Sequence, residues 1–578
     1  MPSFKIGINM AGAVSAGAYT AGVLDFLTEA LDEWYKAKAR GELVPSHDVS
    51  IEVFSGASAG GMCAAISAVM LPQDFDHISD TTKTNTTNRL YESWVNRIDI
   101  RELLKTDDLK TAPPIVSLLD SSIINEIATY ALAPGTPLPA PRPYVSPNLT
   151  LFLSLTNLRG TPYSLNGAAP GSTEESTFFF GDRIQFEVVA PGKTTTAAQR
   201  AHLLDFSRPG SAGGWDVLQT SAMATGAFPI FLAPRILDRK TAEYTPPMWE
   251  SVTSAAMGTP PPISPSFPPR TPDPIQTLNV DGGITNNDPF NYANDYLAQL
   301  EPPLSDRKAP STASDADRAV ISIAPFPTQD KFDPAYQPAG SANIFSVLGR
   351  LFSALISQSR FFGESLDKVM NGTTFNRFVI APSDYELATQ YASAPQNQPP
   401  ALQCAALSAF GGFFDRGFRA HDYALGRRNC QKFLSDSFVL PKDNVVMKAA
   451  LDLVDPATAE AVIQKFKRSD PGNYAFAPPP PGQTTDANAW LPVIPLCSDA
   501  VQQPIGPVPR HKMAARDLDL VVGLVMGRVK AVTAMLIATV PSRLFRIFLQ
   551  AGQPFIRLLA RAPLKDALAQ MLGDSYQK

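Results

Sequence analysis

Four cysteines are all the 578-residue chain has, Cys63, Cys404, Cys430 and Cys497, and no two are spaced Cys-x-x-Cys. That argues against a metal knot or a disulfide framework and suits free core thiols in a reducing compartment. There is no excess of positive charge: the net is −5, so nothing points to nucleic acid as a partner. No window reaches about 18 uncharged apolar residues, so no transmembrane span is expected. Gly-Lys-Ser/Thr is missing, and there is no good Gly-x-Gly-x-x-Gly, which removes the usual nucleotide cradles. The N-terminal run from Lys5 to Leu24 imitates a secretory signal with an Ala-x-Ala-like site. Asn9 and several glycines inside it read better as a strand and helix of the fold. No signal peptide is expected, and a cytoplasmic location follows, with peripheral membrane contact open.

What is present is a large apolar share, 44%, and 54 prolines gathered in loops. The length suggests two to four units. Phe4–Ile8 reads as a strand, Met10–Gly17 as a small-residue loop, and Ala18 to about Lys38 as a helix. Ile51–Phe54 is a second strand, and a helix runs from the following turn to Met70. The opening is therefore α/β with a parallel sheet. Residues 71–145 are helical and irregular. Leu149–Thr156, Thr177–Val189, Ile275–Val280, Ala319–Ala324 and Phe375–Ile380 read as strands. Trp215–Ala227 and Ser341–Met370 read as helices, the latter with Ile344, Val347, Leu348, Leu351 and Leu355 on one face.

Three features carry chemistry. Gly56-Ala57-Ser58-Ala59-Gly60 lies between a β-branched run and a helix of small residues, the nucleophile-elbow pattern. Gly56 and Gly60 let strand and helix approach, and Ser58 stands at the apex. The loop Gly12–Gly17 opens a helix, where backbone N–H groups favour negative charge. Beside an elbow serine it could form an oxyanion hole. Asp281-Gly282-Gly283 ends a strand. An aspartate there is a candidate general base, and burial beside a hydroxyl would raise its pKa toward that task.

Together these residues resemble the patatin-like phospholipase family over roughly residues 4–300. The resemblance extends to Gly17-Ala18-Tyr19-Thr20-Ala21-Gly22-Val23-Leu24 and to Ser221-Ala222-Met223-Ala224-Thr225-Gly226-Ala227-Phe228-Pro229. It implies a three-layer α/β/α core with a central, mostly parallel sheet. It also implies a Ser58–Asp281 dyad that uses neither histidine, metal nor cofactor, and a lipid or phospholipid substrate cleaved through an acyl-enzyme. The chain departs from the family loop Gly-Gly-Gly-x-Arg/Lys-Gly, having Gly12-Ala13-Val14-Ser15-Ala16-Gly17. The N–H groups of Gly12, Ala13 and Val14 survive the change, provided the backbone avoids positive φ at Ala13 and Val14. The missing cation at position 16 weakens recognition of a lipid phosphate more than it weakens acyl hydrolysis.

The expected organisation is a catalytic domain over 1–300 with a Pro-rich insertion at about 257–274. An α-rich extension over 301–476, a Pro-rich linker over 477–510 and a basic helical tail over 511–578 follow. In the tail ten Lys and Arg face four Asp, a net of +6 that leaves −11 for the rest. It reads as a membrane-surface element or as a helical hairpin packed on the body. Two other functional readings stand. Ser58, Asp281 and His421 follow the α/β-hydrolase order, and a catalytically silent lipid-binding protein would keep the fold alone. The Arg/His/Asp-dense segment Phe418-Arg419-Ala420-His421-Asp422-Tyr423-Ala424-Leu425-Gly426-Arg427-Arg428-Asn429-Cys430 is either a salt-bridged helix start or a part of the site's mouth. The helix 341–370 and the Pro-rich loop near Pro260 are candidates to roof the site.

Overall fold

The computed structural model describes residues 1–110, 115–165, 175–189, 201–244, 265–300, 310, 312–326, 354, 359, 375–406, 409–468, 489–538, 562 and 564–577. The strands β1 (Ser3–Met10), β2 (Asp48–Gly56), β3 (Val145–Leu165), β4 (Glu175–Val189), β5 (Ala201–Asp205), β6 (Arg235–Arg239), β7 (Ile275–Asp281), β8 (Arg318–Ile323) and β9 (Arg377–Ile380) form one nine-stranded sheet. Its main order is β5-β4-β3-β2-β1-β8-β9, and every pairing from β3 to β9 is parallel. A parallel sheet is covered on both faces, and the C-terminal halves of β1 and β2 are accordingly buried at every position after their first alternating residues. Helix α1 (Gly17–Ala39), α2 (Ser58–Met70), α3 (Ser122–Ala131) and α4 (Trp215–Thr225) belong to the larger core, and α5 (Phe290–Gln299) packs Phe290, Ala293 and Leu297 on Val53, Phe152 and Val320 at the opposite face. The expected three-layer α/β/α core is present.

The site is placed by β3, which serves two strands along one edge. Its first half pairs in parallel with β2, Leu153 opposite Gly56. Its second half pairs antiparallel with β7, Leu155 opposite Asp281. The C-terminal ends of β2 and β7 therefore meet head to head, two positions apart on β3, or about 7 Å at strand rise. The elbow and the aspartate come from opposite chain directions to one point.

The expected boundary at residue 300 does not coincide with an edge of the sheet. β8 pairs with β1 from Lys5↔Arg318 to Met10↔Ile323, and β9 continues outward. The extension also packs through α6 (Arg416–Asp436), which crosses α1 where both are glycine: a Cβ on Gly22 would strike the Tyr423 carbonyl, and one on Gly426 the Tyr19 carbonyl. Arg427 of α6 pairs with buried Asp25 of α1. Burial alone would raise the Asp25 pKa, but Arg427 and His77 overcome it and hold it near about 2.

Part of the expected linker is ordered. Trp490–Pro492 pairs antiparallel with Val439–Pro441, and Val493 and Ile494 are buried, because this stretch is apolar beyond its prolines. Residues 469–488, with the four-proline run, lie outside the described residues, as do most of 341–370 and residues 245–264. The tail forms α7 (Ala515–Ala538), held to the body by Arg528, whose Nε donates to the Leu118 carbonyl at 2.8 Å and whose Nη2 meets Asp108 at 2.8 Å. By length and composition alone α7 is apolar enough to cross a membrane, with 24 residues and a mean hydropathy of 1.9 over 18 of them, but Arg528 and Lys530 fall in every such window, so no uncharged run of that length is present. At most two charges in that window do not offset its valine, leucine and alanine content.

Gly426→Ala is expected to cost about 1–3 kcal/mol through overpacking against α1. It should lower the thermal midpoint followed by circular dichroism; an unchanged midpoint would contradict the close crossing.

Candidate active site

Ser58 sits in the left-handed region, φ +53°, at the first position of α2. A non-glycine residue there carries strain of about 1–3 kcal/mol. The surroundings hold it. Its N–H donates to Thr225 Oγ1 at 2.9 Å, and the Ala57 N–H donates to the Met10 carbonyl at 3.2 Å. Strand and helix approach so closely that a Cβ on Gly56 would lie 2.7 Å from the Gly60 carbonyl, and one on Gly60 would strike the Met10 carbonyl. Ser58 Oγ then points at Asp281 and donates to Oδ2 at 2.6 Å.

Asp281 is 2% exposed. Its other oxygen, Oδ1, accepts the Gly283 N–H at 2.7 Å, and its own N–H donates to the Ala227 carbonyl at 3.0 Å. Thr156 Oγ1 donates to its carbonyl at 2.8 Å. Gly282 is pressed against the Ser154 carbonyl of β3, with no room for a side chain. Burial pushes the Asp281 pKa up to about 7; the Ser58 and Gly283 hydrogen bonds pull the other way and do not prevail.

The small-residue loop differs from expectation at two of its three donors. The Gly12 N–H donates to the Asn287 carbonyl at 2.9 Å, so it is already used. Ala13 keeps a negative φ, −149°, but Val14 adopts φ +48°, where avoidance of positive φ is expected. The turn Val14–Ala16 is fixed from outside: the Ser15 N–H donates to the Ala409 carbonyl at 3.2 Å, Ser15 Oγ donates to the same carbonyl, and the Gly412 N–H donates back to Ser15 Oγ at 3.0 Å. Those three bonds hold the β-branched residue in place. Among the described residues the Ala13 and Val14 N–H groups have no acceptor.

Asn287 is held in turn through its neighbour. Asp288 is fully buried, meets Arg377 Nη2 of β9 at 3.1 Å and accepts from Asn9 of β1. Ser55 Oγ donates to Asn9 Oδ1 at 3.0 Å. Ser359, within the expected roofing helix, donates to the Gly283 carbonyl at 2.6 Å.

Ser58 and Asp281 open into an apolar pocket. Val14, Met62, Trp94, Ile98, Leu103, Ile124, Ile127, Leu132, Met223, Phe228, Leu232, Phe410 and Phe413 line it, and no Lys or Arg does among the described lining residues. α3 supplies Ile124 and Ile127 from a face set by its spacing. The site thus includes residues that motif reading passes over. Thr225 lies inside the quoted Ser221–Pro229 segment, and Phe410-Gly411-Gly412-Phe413 is a glycine pair between aromatics. Arg377 and Ser15 have no local signal at all. His421 is not brought to Ser58: its Nδ1 lies 2.8 Å from Asp422 Oδ1, and Asp422 also accepts the Gln403 and Cys404 N–H groups. The four cysteines are free thiols, and burial pushes the pKa of Cys63, Cys404 and Cys430 up.

Comparison with known proteins places the chain in a family. The profile of the family described as patatin-like phospholipase matches residues 9–294. Uncharacterized protein y4iI of Sinorhizobium fredii (strain NBRC 101917 / NGR234) is 32% identical over 599 residues, covering 98% of this chain and 80% of that protein. The crystal structure of VipD from Legionella pneumophila aligns at 12% identity and a TM-score of 0.21, over 100% of this chain and 89% of that one. The family match covers the elbow, the aspartate and all of β7, and the relative extends the likeness along nearly the whole chain; the chain belongs to the patatin-like phospholipase family.

Proposed function

We propose that the chain hydrolyses carboxylic esters of lipids, with Ser58 as nucleophile and Asp281 as general base and acid. The observation that carries this is the 2.6 Å hydrogen bond from Ser58 Oγ to a buried carboxylate at the reactive end of an apolar pocket. Asp281 Oδ1 is engaged by Gly283, which leaves Oδ2 for the serine proton. With its pKa raised to about 7, the carboxylate is a far better base than an ordinary aspartate. It takes the proton as Oγ bonds to the acyl carbon, and the carbonyl electron pair moves onto oxygen. The Ala13 and Val14 N–H groups are the candidates to receive that oxyanion; one such donor is worth about 10²–10³ in rate. Collapse breaks the ester C–O bond, and protonated Asp281 returns the proton to the departing alkoxide. Water, deprotonated by Asp281, then attacks the acyl-enzyme, and the acid leaves as Ser58 is restored.

The acyl part is the part the pocket suits. Ala16 is buried where the family carries a cation, and the described lining holds no positive charge, so the support is for acyl recognition and not for a phosphate clamp.

A fluorophosphonate probe is expected to label the wild type and not Ser58→Ala. A folded wild type that stays unlabelled would leave the lipid-binding reading in place of the enzyme. The ionised carboxylate is the active form, so kcat/KM is expected to fall as pH drops below about 7. Asp281→Asn should lower kcat by about 10²–10⁴ and abolish that limb. A limb that persists in Asp281→Asn would assign it to another group. His421→Gln should keep kcat within about tenfold, whereas a serine–histidine mechanism requires a loss of about 10³–10⁴.

A further inference from the structure

The segment 409–413 lies well beyond the residues matched by the family profile, yet it reaches the site. Phe410 and Phe413 line the same pocket as Ser58. The Phe410 ring packs on Phe228 at 5.6 Å, on Phe231 at 5.7 Å and on Phe413 at 5.9 Å, centroid to centroid. Such pairs attract beyond simple burial. They tie the segment to the Phe228-Pro229 turn that follows α4.

The segment is fixed from three sides. Arg419 is buried, and its Nη1 donates to the Gly412 carbonyl at 2.6 Å while its Nε donates to the Val95 carbonyl at 3.1 Å, beside Trp94 of the pocket wall. Asp422 holds the base of the loop through Gln403 N–H at 2.8 Å and Cys404 N–H at 2.9 Å. Ser15 grips its other end at Ala409 and Gly412. Ala409 itself is at φ +74°, a strained setting that persists only where the surroundings over-determine it. The Arg419–Asp422 cluster is therefore the frame of this loop. The same Ser15 that fixes the Val14 turn fixes the aromatic wall.

We propose that residues 409–413 form the wall of the acyl pocket that sets its preference for acyl-chain length, with Ser15 and Arg419 as positioning residues. The proposal rests on the acyl-hydrolase reading for its substrate but stands on the pocket's geometry. On this proposal a long apolar chain gains burial against Phe410 and Phe413 that a short acyl group does not. Ser15 joins that wall to the turn carrying the Ala13 and Val14 N–H groups, so its loss acts on both.

The test uses turnover and binding together. With p-nitrophenyl acetate, octanoate and palmitate, Phe410→Ala is expected to lower the palmitate-to-acetate ratio of kcat/KM about fivefold, and Phe413→Ala to act in the same direction. Phe410→Leu, a milder change if the alanine variant folds poorly, should fall between. Separately, quenching of Trp94 by a brominated C16 fatty acid is measured in Ser58→Ala, with Trp94→Phe as background. Adding Phe410→Ala should raise the apparent Kd about fivefold. An unchanged Kd overturns the wall whether or not esters are turned over, and where they are, an unchanged ratio does so as well. A wild type that binds the fatty acid in this Phe410-dependent way but hydrolyses no ester keeps the wall and removes the hydrolase reading. Ser15→Ala should lower kcat for acetate as well as the chain-length ratio; wild-type values of both would overturn its positioning role.

Discussion

A carboxylate that is 2% exposed, with no cation among the groups that set its pKa, is the constraint around which this site is built. Burying an unpaired charge is costly enough that the group shifts its pKa and spends much of its time neutral. Asp281 does so, and its remaining stabilisation comes from two donors, the Gly283 N–H and the Ser58 hydroxyl. A fold selected for stability alone would replace it. The head-to-head meeting of β2 and β7 on β3 is the feature that delivers the second donor, and neither strand could supply both groups.

Strain is distributed around that pair in a consistent way. Ser58 and Val14 are both at positive φ, and each is held by a hydroxyl or carbonyl from another part of the chain: Thr225 for Ser58, Ala409 through Ser15 for the Val14 turn. Strained backbone persists where the rest of the structure over-determines it. Here the over-determination fixes Ser58 and Val14, both of which line the pocket. Gly12, whose N–H is engaged by Asn287, contributes packing instead of a donor. Glycine is conformationally free; in this chain, where Ala13 and Val14 stand instead, the turn is held by contacts.

That contrast explains what could be read in the sequence. Ser58 and Asp281 were legible because each lies in a local motif whose residues are its own neighbours. The α/β class was legible from apolar strands alternating with small-residue helices. The state of Val14 was not, since its φ is decided by Ala409, and no periodicity or spacing near residue 14 carries that information. Arg377 is equally silent: its meaning comes from Asp288, which a loop away from β9 presents to it. Composition alone cannot place a boundary at 300, because β8 is an ordinary apolar strand whose place beside β1 depends on pairing alone.

The division between a matched catalytic region and an extension is therefore not a physical division. Without β8, β1 would present a bare parallel edge, an unpaired row of donors and acceptors in the middle of the sheet. Asp288 would lose Arg377 while staying buried, and with it the support for Asn287 against Gly12. The Val14 turn would lose Ala409 and Gly412, and the pocket would lose two of its aromatic rings. Asp25 would remain in α1 without Arg427. Each loss strands a buried polar group or a strained residue whose partner lies past residue 300. The surroundings of the candidate site accordingly include the sheet, α6 and residues 409–413, with contacts reaching as far along as Arg419.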